Sequence, residues 1–282
     1  LEYLYNSEKI KKPLFEKIVG RISFFVNSGM RFVTETAKMA SFTELWDEIC
    51  LKRFKISDSK YRRFRYGMQV NSLGLTELQP ENNVYRILIQ MLPVVIAKNS
   101  RARAVQLPAW NEALGLPRPW DQQWSLRLQQ IMAYETDLLE FSDIFEGSKV
   151  LKEKIKHLKK SAHDQLSKID KIGGLIPAIE NGYLKSQLVE SQTNRQKNIE
   201  QGEQKVVGVN CFSEGENSPL VNEKDGGFMK VNDEAEKTQI NNVKNWKEKR
   251  NSKKVVLCLK KLKEIATQGG NIMEVSIDCA HQ

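Results

Sequence analysis

Two spacings of apolar residues divide the first half of the chain. Over residues 20–27 (GRISFFVN) Ile22, Phe24 and Val26 fall on one face and Ser23 and Phe25 on the other, the period of a strand. Gly29 follows as a turn. The period then lengthens to that of a helix reaching about Phe54, with Phe42, Leu45, Trp46, Ile49 and Cys50 as its stripe. A second extended run, 62–70, leads to a helix from about Pro80 in which Val84, Ile87, Leu88, Met91, Leu92 and Val95 recur at helical intervals. Pro80 suits a first turn, where a missing N–H costs nothing, whereas Pro93 removes a backbone bond and predicts a kink. A third run, 101–107, precedes a helix over about 122–141 with Trp124, Leu128, Ile131, Met132, Leu138 and Leu139 predicted inward. Three strand–loop–helix units in succession predict parallel α/β architecture, and three are too few to close an eight-stranded barrel.

From Ser148 the pattern is helical throughout, with Leu151, Ile155, Leu158, Leu166 and Ile169 as a stripe broken at Gly173-Gly174. Another helix is predicted over about 183–201, and VVGVN (206–210) reads as a short strand. Residues 212–242 are polar and turn-rich and read as a loop or linker. A basic amphipathic helix then runs from about 243 to near Gln268, followed by Gly269-Gly270 and a partial helix. The expected segments are 1–145, 146–211, 212–242 and 243–282.

Charge changes this picture little. The net charge of +9 would suit a nucleic-acid partner, but it is concentrated in two blocks. Residues 146–172 hold eight Lys against four acids, and 243–264 hold nine Lys and Arg against two, leaving the rest nearly neutral. Both blocks follow helical spacing without the interleaved aromatics that base stacking needs, so solvated helix faces are expected and no nucleic acid. No apolar run approaches the roughly 18 residues of a membrane span, so no membrane partner is expected. Cys50, Cys211, Cys258 and Cys279 are widely separated and lack a nearby histidine cluster, which excludes a zinc motif and a disulfide framework and leaves a reduced, cytoplasmic setting. His157 and His163 lie in the lysine-rich block, where a solvated surface role outweighs catalysis. The chain opens on Leu1 inside structured sequence and is expected to be a fragment.

The polar residues of 62–124 are the candidate chemistry. Each of the two extended runs ends in a patch of Gln, Asn, Gly, Pro and Trp before its helix, and loops after strands are where parallel β/α enzymes place their sites. Gln69, Asn71, Asn82, Asn83, Trp110, Asn111 and Glu112 sit there among apolar neighbours and predict a lined pocket.

RISFFVNSGMRF (21–32), YGMQVNSLGLTELQPENNVYR (66–86), RAVQLPAWNEALGLPRPWDQQW (103–124), YETDLLE (134–140) and GEQKVVGVN (202–210) carry a resemblance over nearly the whole chain. They resemble, in the same order, the coenzyme-B12-dependent acyl-CoA mutases, and most closely the ethylmalonyl-CoA mutase branch beside methylmalonyl-CoA mutase. The resemblance implies an α/β fold that is a partial TIM (β/α)8 barrel, its last three β/α units, followed by a mainly helical linker region. It implies adenosylcobalamin as cofactor and an acyl-CoA as substrate, rearranged through a radical that shifts the thioester group to the neighbouring carbon. The N-terminal barrel half, the substrate-carboxylate clamp and the cobalamin-binding domain with its cobalt ligand would lie outside this chain, and the complete enzyme would be a homodimer. Asp278 and His281 have the wrong spacing for that cobalt ligand.

Residue by residue, the resemblance makes Arg21 and Ser23 ligands of the CoA moiety. A guanidinium suits phosphate or carbonyl oxygens and a hydroxyl suits an amide. It makes Gln69 a strand-end residue facing substrate and cofactor, and Glu112 an acceptor for the adenosyl ribose hydroxyls, since a carboxylate takes both hydroxyls of a diol. The bland readings are a strand-end charge for Arg21 and a capping role for Gln69; for Trp110 and Trp120 packing is favoured over lining a cavity. Three positions depart from methylmalonyl-type enzymes: Gly67 replaces His, Leu73 replaces Trp and Pro108 replaces Asn. These departures predict a pocket opened for a bulkier acyl group. The competing readings are a methylmalonyl-CoA mutase, a non-catalytic barrel remnant or partner subunit, and a basic binding protein that the charge placement disfavours.

Overall fold

A computed structural model describes residues 1–7, 9–100, 102–222, 226–230 and 232–282. Three strands pair in parallel in the order β1-β2-β3: β1 (Phe24–Ser28), β2 (Tyr66–Val70) and β3 (Ala104–Gln106). Phe25 stands opposite Gly67 and Gly67 opposite Ala104; two residues on, Asn27, Gln69 and Gln106 form the matching row. The strands are shorter than the sequence suggests. Residues 62–65 are not strand, because Arg62 turns back to donate to Asp47 Oδ1 at 2.8 Å and to the Ile56 carbonyl at 3.2 Å. The third run is strand only from Ala104, and Arg101 lies outside the described residues.

Two short helices precede the sheet, α1 (Glu2–Asn6) and α2 (Lys12–Val19), which the apolar spacing did not reveal. α3 (Phe32–Lys52) and α4 (Asn82–Ile96) are the crossover helices. They bury one face of the sheet: Tyr66, Met68 and Val70 pack with Met39 of α3 and Ile87, Met91 and Val94 of α4. Phe24 adds an edge-on contact to Trp46 with ring centres 4.8 Å apart. Pro80 precedes α4 and accepts from Asn83 through its carbonyl instead of occupying the first turn. Pro93 is buried at the start of the last turn, and the helix continues through it to Ile96. A second cluster, Phe15, Val19, Cys50, Phe54 and Ile56, seats α2 against the end of α3, and burial pushes the Cys50 thiol up to about 12.

After β3 comes α5 (Pro119–Tyr134), which is shorter than the 122–141 expected. Thr136 ends it: its hydroxyl donates to the Met132 carbonyl and accepts from Leu138 N–H, starting a separate turn over Asp137–Leu139. Met132 is buried, and Leu128 and Leu138 pack on the core, but Trp124, Ile131 and Leu139 are exposed. α6 (Lys149–Ile172) begins at Ser148, whose side chain accepts from Leu151 N–H. Gly173 ends it in the left-handed region at φ 107°, where a glycine carries no Cβ penalty. α7 (Leu175–Glu180) and α8 (Tyr183–Glu200) follow.

Residues 206–210 form a turn, not a strand. Val206 carbonyl accepts from Val209 and Asn210, Gly208 takes φ +79°, and the Asn210 amide donates to the Ile199 and Gln204 carbonyls. Leu1–Met229 form one compact unit and Lys230–Gln282 another. The second comprises α9 (Asp233–Lys249), α10 (Ser252–Thr267) and α11 (Ile272–His281). The stretch expected as loop is therefore helical from Asp233, where Asn232 caps and Asp233, Glu234 and Glu236 favour the positive helix start. Residues 223–225 and 231 of that stretch lie outside the described residues. Asn251 separates α9 from α10 by accepting from Lys254 N–H, so the basic segment is two helices rather than one.

α6 lies along α3, and charged groups fix the pairing. Lys159 donates to Glu44 at 2.8 Å and also contacts Glu48, and Arg53 reaches Asp170 at 3.0 Å. The Lys159 hydrogen bond holds the Glu48 carboxyl below its usual value of 4.5. A depressed carboxyl pKa gives stability that is present above the unfolded value and lost as pH falls through the folded one. The urea midpoint should therefore drop on acidification below pH 4.5, and less so in Lys159→Met. At neutral pH this half-exposed pair contributes about 0.2–1 kcal/mol. An identical acid response in Lys159→Met would contradict this account.

Candidate functional site

The two faces of the sheet differ. Residues 24, 26 and 28 of β1 and 66, 68 and 70 of β2 point to the helices, while 25 and 27, 67 and 69, and 104 and 106 point to a face that no element among the described residues covers. Ser23 and Arg21 continue the same parity toward the amino ends of the strands and are exposed. Arg21, Ser23 and Gln69 therefore share the open face, with Arg21 and Ser23 at its amino end and Gln69 near its carboxyl end. At about 3.3 Å per residue, Ser23 and the row of Gln69 are separated by roughly 13 Å.

The carboxyl ends of the strands are pinned by one residue of α4. Gln90 is fully buried; its carbonyl accepts from Ser28 Oγ at 2.7 Å and its side-chain oxygen from Asn71 N–H at 3.1 Å. Beside this pin, Asn71, Asn82 and Arg86 border a cleft of about 630 Å³. Arg86 is buried there on neutral oxygens of Thr76, Asn83 and Val207, and desolvation lowers its pKa.

The lined pocket expected of 69–112 divides into scaffold and open positions. Asn83 is fully buried and donates at 2.9 Å to the carbonyls of both Thr76 and Trp110, joining the loops after β2 and β3. Trp110 and Asn111 are buried as well. They donate to Asp121, Trp110 Nε1 at 2.9 Å and Asn111 Nδ2 at 2.7 Å. The Asp121 carboxylate, fully buried, also accepts from Arg118 N–H at 2.7 Å and Nε at 3.0 Å. Trp110 packs with Trp120 and Trp124, and the Arg118 guanidinium lies 4.3 Å from the Trp120 ring centre, so packing is the role of these tryptophans. Pro108 is buried too, its carbonyl held by Ser125 Oγ at 2.6 Å. The spacing of polar residues in this stretch does not distinguish these buried connectors from exposed groups, because both kinds are Asn and Trp beside apolar neighbours.

Glu112 stands apart from that knot. Its N–H bonds the Ala109 carbonyl in a turn, while its side chain is exposed and its carboxylate makes no hydrogen bond or ion pair among the described residues. It is free to accept a diol, so the residue present fits an adenosyl ribose. No group of three or more His, Cys, Asp or Glu that could hold a metal occurs among the described residues. The four cysteines are free thiols. No helix among the described residues is long and apolar enough to cross a membrane.

Gly67 does not open space as its smallness predicts. The Phe25 ring of the neighbouring strand lies over it, and a Cβ built on Gly67 would stand 3.1 Å from Phe25 Cδ2. Leu73, the second departure, is exposed in the short turn after β2.

Comparison with known proteins shows what the chain as a whole is similar to. The methylmalonyl-CoA mutase family profile matches residues 3–282. The ethylmalonyl-CoA mutase of Cereibacter sphaeroides is 56% identical over 272 residues, which are 96% of this chain and 41% of that protein. The ethylmalonyl-CoA mutase of Methylorubrum extorquens is 56% identical over 280 residues, 99% of this chain and 41% of its own length. The mitochondrial methylmalonyl-CoA mutase of Homo sapiens is 28% identical over 267 residues, 94% of this chain and 34% of its own length. The chain thus spans about two fifths of the length of the ethylmalonyl-CoA mutases it matches.

Two outcomes follow from this geometry. Asp121→Ala removes the acceptor of the buried Trp110 Nε1, while Asn111 Nδ2 keeps its 2.7 Å bond to the Gly227 carbonyl. The loss should cost about 1–3 kcal/mol in urea denaturation; an unchanged midpoint would mean the knot is not structural. Gly67→His should collide with the Phe25 ring, and Phe25→Ala should relieve it. A double-mutant cycle on stability is expected to give a coupling of about 0.5–3 kcal/mol, against none if the ring were elsewhere.

Proposed function

The chain belongs to the methylmalonyl-CoA mutase family, and on that premise we propose that it forms the last three β/α units, and the following helical region, of an adenosylcobalamin-dependent acyl-CoA mutase of the ethylmalonyl-CoA type. The observation that carries the branch is the 56% identity to two ethylmalonyl-CoA mutases, against 28% to a methylmalonyl-CoA mutase. The reading makes the protein a cytoplasmic isomerase, a homodimer when its barrel and cobalamin-binding domain are complete. The four free thiols agree with a reduced setting.

In this reading the uncovered sheet face is part of the barrel lumen, and the substrate lies along it. Arg21 and Ser23 hold the CoA moiety at the amino end, where both side chains are exposed. Gln69 faces the acyl group and the cofactor, its amide able to donate and accept without carrying charge. Glu112 accepts the ribose hydroxyls of the adenosyl group. Adenosylcobalamin, when bound, supplies the radical that begins the rearrangement. The contribution of this chain is to orient both molecules and to keep water from the reacting carbons, which a lumen closed around them achieves.

The reading is tested by placing residues 1–282 in the Cereibacter sphaeroides enzyme in exchange for the segment they match, and assaying with adenosylcobalamin. Ethylmalonyl-CoA should turn over with the higher kcat/KM; one extra methylene is worth about 1–3 kcal/mol in an apolar pocket. No turnover of either acyl-CoA, or a clear methylmalonyl-CoA preference, overturns it. Within that enzyme two substitutions should separate the ligands. Arg21→Ala should raise the acyl-CoA KM and spare cobalamin affinity, whereas Glu112→Gln should weaken cofactor binding by about 1.5–3 kcal/mol and spare acyl-CoA binding. The reverse pattern would exchange the two assignments.

A further inference from the structure

We propose that Asn27 and Gln106 are acyl-positioning residues that complete, with Gln69, a rung of three carboxamides across the uncovered sheet face, set beside an apolar step, the Phe25 ring over Gly67 and then Ala104, against which the alkyl branch of the acyl group packs. The inference rests on the mutase reading above and adds two residues and a shape to it.

The register places the rung. Asn27 is the partner of Gln69 on one side and Gln106 on the other, so the three stand at one level on adjacent strands. Neighbouring strands are about 4.8 Å apart, and the rung therefore spans roughly 10 Å, the width of a small branched acyl group with its thioester. Stacked carboxamides at such spacing readily hydrogen-bond one another in ladders. Here no hydrogen bond joins the side chains of Asn27, Gln69 and Gln106, and none of the three bonds any other described residue. Asn27 is held only through its main chain, its carbonyl accepting from Lys38 Nζ at 2.7 Å. Three amide NH2 groups, with two N–H donors each, and three carbonyl oxygens are thus directed to one uncovered surface.

The next level toward the amino ends is different. It is Phe25, Gly67 and Ala104, one ring beside two positions with almost no side chain. The Phe25 ring overlies Gly67, 60% exposed on its outer side, and Ala104 leaves the far strand low. The result is a shallow apolar step under a polar rung. A ligand that fills both has oxygens at one end and a short alkyl branch at the other. A branched acyl thioester has that form, with Arg21 and Ser23 further along the same face for the remainder of the molecule. No member of the rung titrates, so its grip on carbonyl or carboxylate oxygens is independent of pH across the range in which the protein is folded.

The test uses the exchanged enzyme described above, with Asn27→Leu, Gln106→Leu and the conservative Gln106→Asn. Each leucine variant removes donors without removing bulk. Each should raise the KM for ethylmalonyl-CoA about tenfold, with the dissociation constant of adenosylcobalamin within about twofold of the parent. Calorimetric binding of the acyl-CoA to the cofactor-free enzyme should weaken in step, equally at pH 6.5 and 8.5, and Gln106→Asn should recover part of it. Both side chains are exposed, so unfolding melts should match the parent; if a variant melts early, the binding ratio between Gln106→Leu and Gln106→Asn decides. An active parent whose leucine variants bind and turn over acyl-CoA normally overturns the rung alone. A parent inactive on every acyl-CoA overturns the mutase reading and the rung with it.

Discussion

The alternation of β2 is the constraint on which the rest depends. It is the central strand, its neighbours lie in exact step with it, and its side chains go in turn to helices and to an uncovered face. Tyr66, Met68 and Val70 are almost completely buried under α3 and α4. A slip of one residue would drive Gln69 into that core and expose Met68 and Val70, so burial of the apolar set holds the polar set in place. The same apolar side chains that stabilise the unit therefore determine which groups line the open face. In a parallel sheet of this kind both faces are ordinarily covered, which sets this face apart from the helix-covered one.

The ends of the strands are held by buried polar groups, which act over shorter distances and with more geometric demand. Gln90 joins β1, the loop after β2 and α4, and Asn83 joins the loops after β2 and β3. Asp121 gathers Trp110, Asn111 and Arg118 into one knot at the start of α5. Each satisfies donors or acceptors that would otherwise be costly to bury. Glu112 follows directly on this rigid knot, with its own carboxylate free. The position of an exposed carboxylate is thereby fixed by its buried neighbours, the kind of support that holds a side chain in one geometry.

Function reads out along one direction of the open face. Cationic and hydroxyl groups stand at the amino end, a ring and two small residues follow, then three neutral amides, and beyond the strands a free carboxylate. In the mutase reading proposed above, this gradient would complement a long ligand with a charged handle, a branched acyl end and a second molecule above it, and neutrality in the middle would suit reacting carbons at which no charge develops.

Much of this was legible in the chain itself. The apolar periods located three strand–helix units, and the long motifs around Arg21, Gln69 and Glu112 placed the chain in its family. Local signals were less complete. The helix start at Asn232, with acids at 233, 234 and 236, was readable by its cap yet hidden in a polar stretch. The turn at 206–210 looks like a strand because its three valines suit one, and only Gly208 and the Asn210 side chain turn it. The sequence by itself determined which residues are apolar, where each period begins and which motifs are present, because these are properties of neighbours along the chain. Tertiary structure alone decided that Asn83, Asn111 and Trp110 are buried connectors, that Phe25 covers Gly67, and that Asn27, Gln69 and Gln106 share one level. Those facts depend on pairing between segments some 40 residues apart, and register over such separations is set by the packing of α3 and α4 on the sheet, which no local pattern contains.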